Sequence, residues 1–125
     1  MDSLTISVTL PWPPAALTPN QKRKNLWFKY RKTEADYRQS CWWATREVLG
    51  RRRFASLTAV EIHFYPPDLR IRDDDGMIGQ FKNGRDGVAQ ATRIDDRHWR
   101  PQYHFHPPHY PSGKIVVVLS GEAMP

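Results

Sequence analysis

Seven of the thirteen acidic residues of this 125-residue chain lie between Asp68 and Asp96. Within that stretch Asp73-Asp74-Asp75 and Asp95-Asp96 form two clusters, with Lys82 and Asp86 between them. On a helical wheel of about 100° per residue, Asp75, Gly79, Lys82 and Asp86 share a narrow face, and Met77, Phe81 and Val88 lie opposite. Asp73 and Asp75 stand two apart, so in an extended entry to the helix their carboxylates point the same way. If the chain turns back after the helix, Asp95 and Asp96 join them. Hard carboxylate oxygens without histidine or cysteine suit Mg²⁺, with Mn²⁺ as a substitute. A cation held there activates water and stabilises charge on a phosphoryl group, and Lys82 can face a phosphate or assist the leaving group. The competing interpretation of Asp73-Asp74-Asp75 is an acidic first turn that complements the helix dipole. Two acid clusters flanking one amphipathic helix favour the cation, since like charges this close cost stability unless neutralised.

The rest of the composition points to a polyanionic partner. Nineteen Lys and Arg against thirteen Asp and Glu give a net charge of +6 and a pI near 9.8, the balance expected of a nucleic-acid-binding protein. From Lys22 to Arg53 there are eleven basic and three acidic residues. Lys22, Arg23, Lys24, Arg51, Arg52 and Arg53, with Arg70 and Arg72 before the acids, are the candidate DNA contacts. Such patches supply phosphate affinity more than base readout. Cys41, the single cysteine, excludes an intrachain disulfide framework and a four-cysteine zinc site. No apolar run approaches the ~18 residues of a membrane span, and the first residues lack a signal-peptide pattern, so a reducing, cytoplasmic setting is expected.

The elements that must position these groups follow from periodicity. The length suits one domain over residues 1–125. Leu4 to Leu10 alternates as a half-buried strand until Pro11-Trp12-Pro13-Pro14 stops it. Ala15 to Lys32 reads as a long basic, aromatic loop. Thr33 with Asp36 resembles a capping box opening a helix over about Glu34 to Leu49, with Tyr37, Cys41, Ala44, Thr45 and Val48 on its apolar side and Gly50 closing it. Leu57 to Tyr65 is a second strand, ended by Pro66-Pro67. A second helix spans about Asp75 to Ala91, weakened by its glycines. A third strand falls within His98 to His106, and KIVVVLS, Lys114 to Ser120, reads as a strand buried on both faces. The expected fold is α/β (α+β), a mixed sheet with two main helices in the order β-α-β-α-β-β.

The chain resembles the RusA-type Holliday junction resolvases, endodeoxyribonucleases common in phages and prophages. The resemblance covers most of the sequence: ISVTLPWPP, then Asn20 beyond that turn, and above all RIRDDDGMIGQFKNGRDGVAQATRIDDRHW. Asp73 and Asp75 match the first two acidic positions of the family pattern, with Asp74 at the variable place between them. Lys82 matches the lysine, Asp86-Gly87 the pair on the helix, and Asp95-Asp96 the final pair. Gly76 stands where the family usually has asparagine. The resemblance implies a homodimer, dependence on Mg²⁺ and symmetric nicking of four-way DNA junctions. Asp73, Asp75 and Asp96 would then hold the metal, with Asp95 an outer or alternative ligand and Lys82 the phosphate-facing base.

A rival from another class is a non-catalytic nucleic-acid-binding module whose acids cap a helix and pair with Arg70, Arg72 and Arg97. His104, His106 and His109 could bind a transition metal, though alternate residues facing solvent explain the tract more simply. Of Trp42 and Trp43, one is expected in the core and the other on the surface. Cys41 reads as a small buried hydrophobe.

Overall fold

The computed structural model describes residues 2–19 and 27–125. Strand β1 (Ser3–Pro11) leads through the proline turn to helix α1 (Arg31–Leu49), which a short 3-10 turn over 27–30 enters. Strand β2 (Phe54–Tyr65) precedes helices α2 (Asp74–Gln80) and α3 (Lys82–Thr92). Strands β3 (Gln102–Phe105) and β4 (Lys114–Ala123) follow. The four strands form one mixed sheet in the order β1-β4-β2-β3. β4 runs antiparallel to both neighbours, and β3 lies parallel to β2 at the edge.

The helices cover one face of this sheet, and strand alternation decides what lies beneath them. Leu4, Ile6, Val8 and Leu10 of β1, Val60, Ile62 and Phe64 of β2, and Ile115, Val117 and Leu119 of β4 are buried, as a period of two requires of a sheet covered on one side. The expectation that β4 is buried on both faces is therefore corrected. Val116 and Val118 are only half-buried, because no helix among the described residues packs on the second face and a β-branched run suits a half-exposed strand equally well.

Helix α1 begins earlier than the Thr33–Asp36 pattern suggests. Tyr30 occupies its N-cap without a side-chain cap bond, and Asp36 instead pairs with Lys32 at 2.8 Å, one turn back. The buried stripe is Tyr37, Cys41, Thr45 and Leu49. Val48 faces out, since the i, i+4 line through Cys41 continues to Leu49. Gly50 closes the helix with φ 61°, as expected of a C-terminal glycine. Burial pushes the Cys41 thiol up to about 12, Tyr37 accounting for a smaller opposing effect, so the thiol stays protonated and unreactive. Trp42 is half-buried and Trp43 exposed.

The second helix is divided at Phe81, whose amide donates to both Met77 O and Ile78 O at 3.2 Å. Arg85 N in turn donates to Phe81 O at 3.0 Å, so helical bonding enters and leaves Phe81 and the division is a kink. The glycines that weaken this segment by propensity are what allow it to pack. A Cβ on Gly87 would lie 2.3 Å from Arg38 O of α1, and one on Gly84 would strike Phe81 and Tyr37. Their absence lets α3 approach the backbone of α1. Gln80, buried, donates its amide to Pro13 O at 2.8 Å and Pro14 O at 3.1 Å, tying α2 to the proline turn. Tyr37 Oη donates to Pro11 O at 2.7 Å and fixes the same turn to α1.

Candidate active site

The two acid clusters sit at opposite ends of α2 and α3, and each is held by local backbone chemistry. Asp73 is the N-cap of α2, its Oδ1 accepting from Gly76 N at 2.6 Å. A Cβ on residue 76 would lie 2.4 Å from that oxygen. Glycine in place of the asparagine usual in the resembled family is thus what admits so close a cap. Asp74 and Asp75 occupy the exposed first turn. Among the described residues no ion pair forms to Asp73, Asp74 or Asp75. Arg72 pairs instead with Asp68 at 2.9 Å and lies over the Trp12 ring at 5.8 Å, and Arg70 contributes its amide to Asp68.

At the far end, Asp86, Asp95 and Asp96 line one hollow with Ala89 and Gln90. Asp86 lies one turn beyond Lys82 on α3, and Asp95 and Asp96 follow the helix after Arg93, whose φ of 62° ends it. Burial first, and the negative charge of Asp96 second, push the Asp86 carboxyl above its ordinary value, against the pull of Lys82, Arg38 and Arg85. Asp95 is held below the usual carboxylate range, chiefly because Oδ1 accepts from Arg97 N at 3.0 Å.

The residue that positions Asp96 is Arg85, which sequence patterning passes over. Its Nε lies 3.0 Å from Asp96 Oδ2, and its terminal nitrogens donate to Asp96 O at 3.3 Å and Tyr103 Oη at 2.9 Å. The guanidinium stacks 5.5 Å from the buried Trp99 ring. Its signal was its place directly before Asp86, on the side of α3 turned toward β3.

Eleven positions separate Asp75 from Asp86, and the kink at Phe81 divides them between α2 and α3. A cation shared by two carboxylates needs their ligating oxygens within about 4 Å of each other. Asp86, Asp95 and Asp96 thus line one hollow without closing to a three-ligand cluster in one protomer, while Asp73 and Asp75 remain with the cap of α2. Lys82, exposed, is nearer the hollow.

Basic residues flank the hollow. A groove between the C-terminal ends of α1 and α3 is lined by Arg46, Arg52, Arg53 and Arg93 beside Phe54 and Met124, and it adjoins Ile94, which leads directly into Asp95. Arg51, Arg53 and Arg70 are exposed. Arg52 is exposed too, yet its Nε donates to Leu49 O at 3.0 Å, so it also caps α1. Lys22, Arg23, Lys24 and Asn20 lie outside the described residues.

The raised carboxyl of Asp86 has a measurable sign. Its folded state binds a proton more readily than its unfolded state, so ionised Asp86 costs stability, and that cost grows as pH rises from about 4 through the raised folded value. Asp86→Asn should therefore raise the Tm at neutral pH in EDTA and leave it unchanged below about pH 4, where the wild-type carboxyl is protonated. Excess Mg²⁺ should raise the wild-type Tm more than that of the variant. Thermal melts with and without EDTA read both differences.

Over 123 residues the chain is 32% identical to an uncharacterized protein of Xylella fastidiosa, an alignment covering 92% of this chain and 76% of that protein. No family model matches the chain. No helix among the described residues is long and apolar enough to cross a membrane.

Proposed function

The chain belongs to the same family as the uncharacterized Xylella fastidiosa protein, and for it we propose a divalent-cation-dependent endonuclease, active as a homodimer, that cuts branched DNA such as a four-way junction by phosphodiester hydrolysis. The observation that carries this is the hollow lined by Asp86, Asp95 and Asp96 beside an arginine-lined groove. The chain is basic overall, yet in this hollow burial first and the charge of Asp96 second push the Asp86 carboxyl up.

Carboxylate oxygens are the hard donors that Mg²⁺ and Mn²⁺ prefer, and since Asp86, Asp95 and Asp96 do not close to a three-ligand cluster by themselves, further acids would have to complete the site. A cation bound there would lower the pKa of a water and neutralise charge on the phosphoryl oxygens. The protein's own part is positional. Arg85 fixes the Asp96 carboxylate and main chain, and the Arg97 amide fixes Asp95. Lys82 reaches toward the scissile phosphate, and the groove arginines hold flanking phosphates.

The separation along the helix gives the dimer a purpose. Among the described residues no three of Asp73, Asp75, Asp86, Asp95 and Asp96 lie close enough within one protomer to share a cation. A two-fold axis that sets the start of α2 in one protomer against the hollow of the other completes two such sites, because an isologous interface repeats every contact. Each composite site would then take Asp73 and Asp75 from one chain and Asp86, Asp95 and Asp96 from its partner. Two sites related by a two-fold axis suit symmetric incision of a junction, whose arms carry the same symmetry. A protonated, buried Cys41 fits a reducing cytoplasm, where such DNA is handled.

End-labelled four-way junction and linear duplex of the same sequence, incubated with Mg²⁺ or with EDTA, test the proposal. Paired nicks in the junction alone, and only with the cation, are expected. Junction binding without incision in either Mg²⁺ or Mn²⁺ would identify a non-catalytic binding module instead.

A further inference from the structure

The sheet face left bare by the helices carries a second cluster of ligand-type side chains, of different chemistry. Glu61 and His63 are two apart on β2 and so share a face, and His104 of β3 lies beside His63 in the parallel register. Glu61 Oε1 is 3.2 Å from His104 Nε2 and 3.6 Å from His63 Nε2. The three ligand atoms all fall within 4.8 Å of one another. His104 Nε2 is buried, with the Glu61 carboxylate beside it in a contact that misses hydrogen-bond geometry. His63 Nδ1 meets His106 Nε2 at 2.7 Å, and His106 stacks on Tyr65 at 4.3 Å between centroids.

We propose that Glu61, His63 and His104 form a site for a transition-metal cation of the Zn²⁺ class, separate from the acid cluster at the ends of the helices. Zinc bound to histidine nitrogen and carboxylate oxygen at about 2.0–2.1 Å in a tetrahedron sets neighbouring ligand atoms roughly 3.3 Å apart, close to the two separations that Glu61 makes. Two imidazoles and one carboxylate select a borderline cation over Mg²⁺, which prefers oxygen alone. His106 serves as the outer partner that fixes the tautomer and plane of His63, in the way ligating histidines are commonly held through their second nitrogen. The rings of His63 and His104 stack at 4.5 Å and 11°. A metal lies in the plane of each ring that binds it, so one ring must turn. His63 is fixed by His106, and His104, on the short edge strand, is the one that rotates, turning its Nε2 from the Glu61 carboxylate to a cation between them. Three protein ligands leave a fourth position open to water or to an outside ligand. His109, part of the same histidine-rich tract, is not in the cluster.

This inference stands independently of the endonuclease proposal, and its test needs no activity. The full-length protein, stripped with EDTA and desalted, is titrated with Co²⁺ and followed by visible d–d absorption, then with Zn²⁺ in competition. With excess Mg²⁺ present throughout to occupy the acid site, one equivalent of Co²⁺ per chain, displaced by Zn²⁺, is expected. His104→Ala and Glu61→Gln should each weaken binding by about 10²-fold or more, and Asp96→Asn should leave it unchanged. Glu61→Gln keeps the shape of a partly exposed side chain, so it decides the question should His104→Ala fail to fold by circular dichroism. Absence of the Co²⁺ spectrum, unchanged affinity in the Glu61→Gln variant, or loss of binding in the Asp96→Asn variant would overturn the assignment.

Discussion

Asp75→Asn and Asp96→Asn, each prepared alone, should lose junction cleavage by about 10²-fold or more while binding the junction as tightly as the wild type or more tightly. The loss follows from removing a hard anionic ligand whose only strong role is to hold the cation and stabilise charge in the transition state. Binding survives because each substitution deletes a negative charge from a surface that must approach phosphate. Asp96→Asn should have the further effect of weakening the contact with Arg85 Nε, now 3.0 Å from Oδ2, and so of loosening the turn over Asp96–His98. Single-turnover cleavage beside a gel-shift titration separates the two quantities. Wild-type cleavage by either variant at saturating Mg²⁺ would remove that carboxylate from the site.

The second large effect belongs to Lys82. It is exposed, one turn from Asp86, and its charge opposes the upward shift of the Asp86 carboxyl. If its only task were to balance the acids, arginine would serve equally. Acting at the scissile phosphate as a compact point charge or proton donor, lysine is not replaceable by a planar guanidinium that does not release its proton. Lys82→Arg should therefore keep junction affinity and lose much of the cleavage rate, and Lys82→Ala should lose about 10²-fold or more. Single-turnover rates on a bound junction isolate this from assembly. Equal rates for all three proteins would leave the carboxylates to act without the lysine.

How far the sequence could be followed depended on whether a pattern was local. The alternation in β1 and β2 announced strands with one buried face, and Leu4 to Leu10 and Val60 to Phe64 bury the residues it names. KIVVVLS gave no such alternation by residue type, since valine suits either face, and only the layer arrangement shows that Val116 and Val118 lack a cover. Glycine propensity argued against the second helix, yet Gly84 and Gly87 are there because α1 passes too close for a side chain. That is a tertiary reason which no window on one segment contains. The acids were legible as two clusters, and the wheel set Asp75 and Asp86 on one face of a single helix. A wheel assumes continuity, however, and the kink at Phe81 puts them on two helices. Arg85 and His63 went unnoticed for a related cause: Asp96 and Tyr103 for the one, and His104 for the other, are brought to them by the crossover from α3 to β3.

In the proposed dimer each cation site draws Asp75 and Asp96 from different protomers. Two inactive proteins, Asp75→Asn and Asp96→Asn, mixed under conditions that exchange subunits, test it most directly. In the heterodimer one composite site inherits both substitutions and the other inherits neither, so the account predicts that cleavage returns on mixing, as single nicks in the junction at up to about one wild-type site per heterodimer. If both carboxylates served a site within one chain, every site in the mixture would carry a substitution. Cleavage that stays at the level of the separate variants, with subunit exchange shown by a tag on one of them, would contradict the composite site.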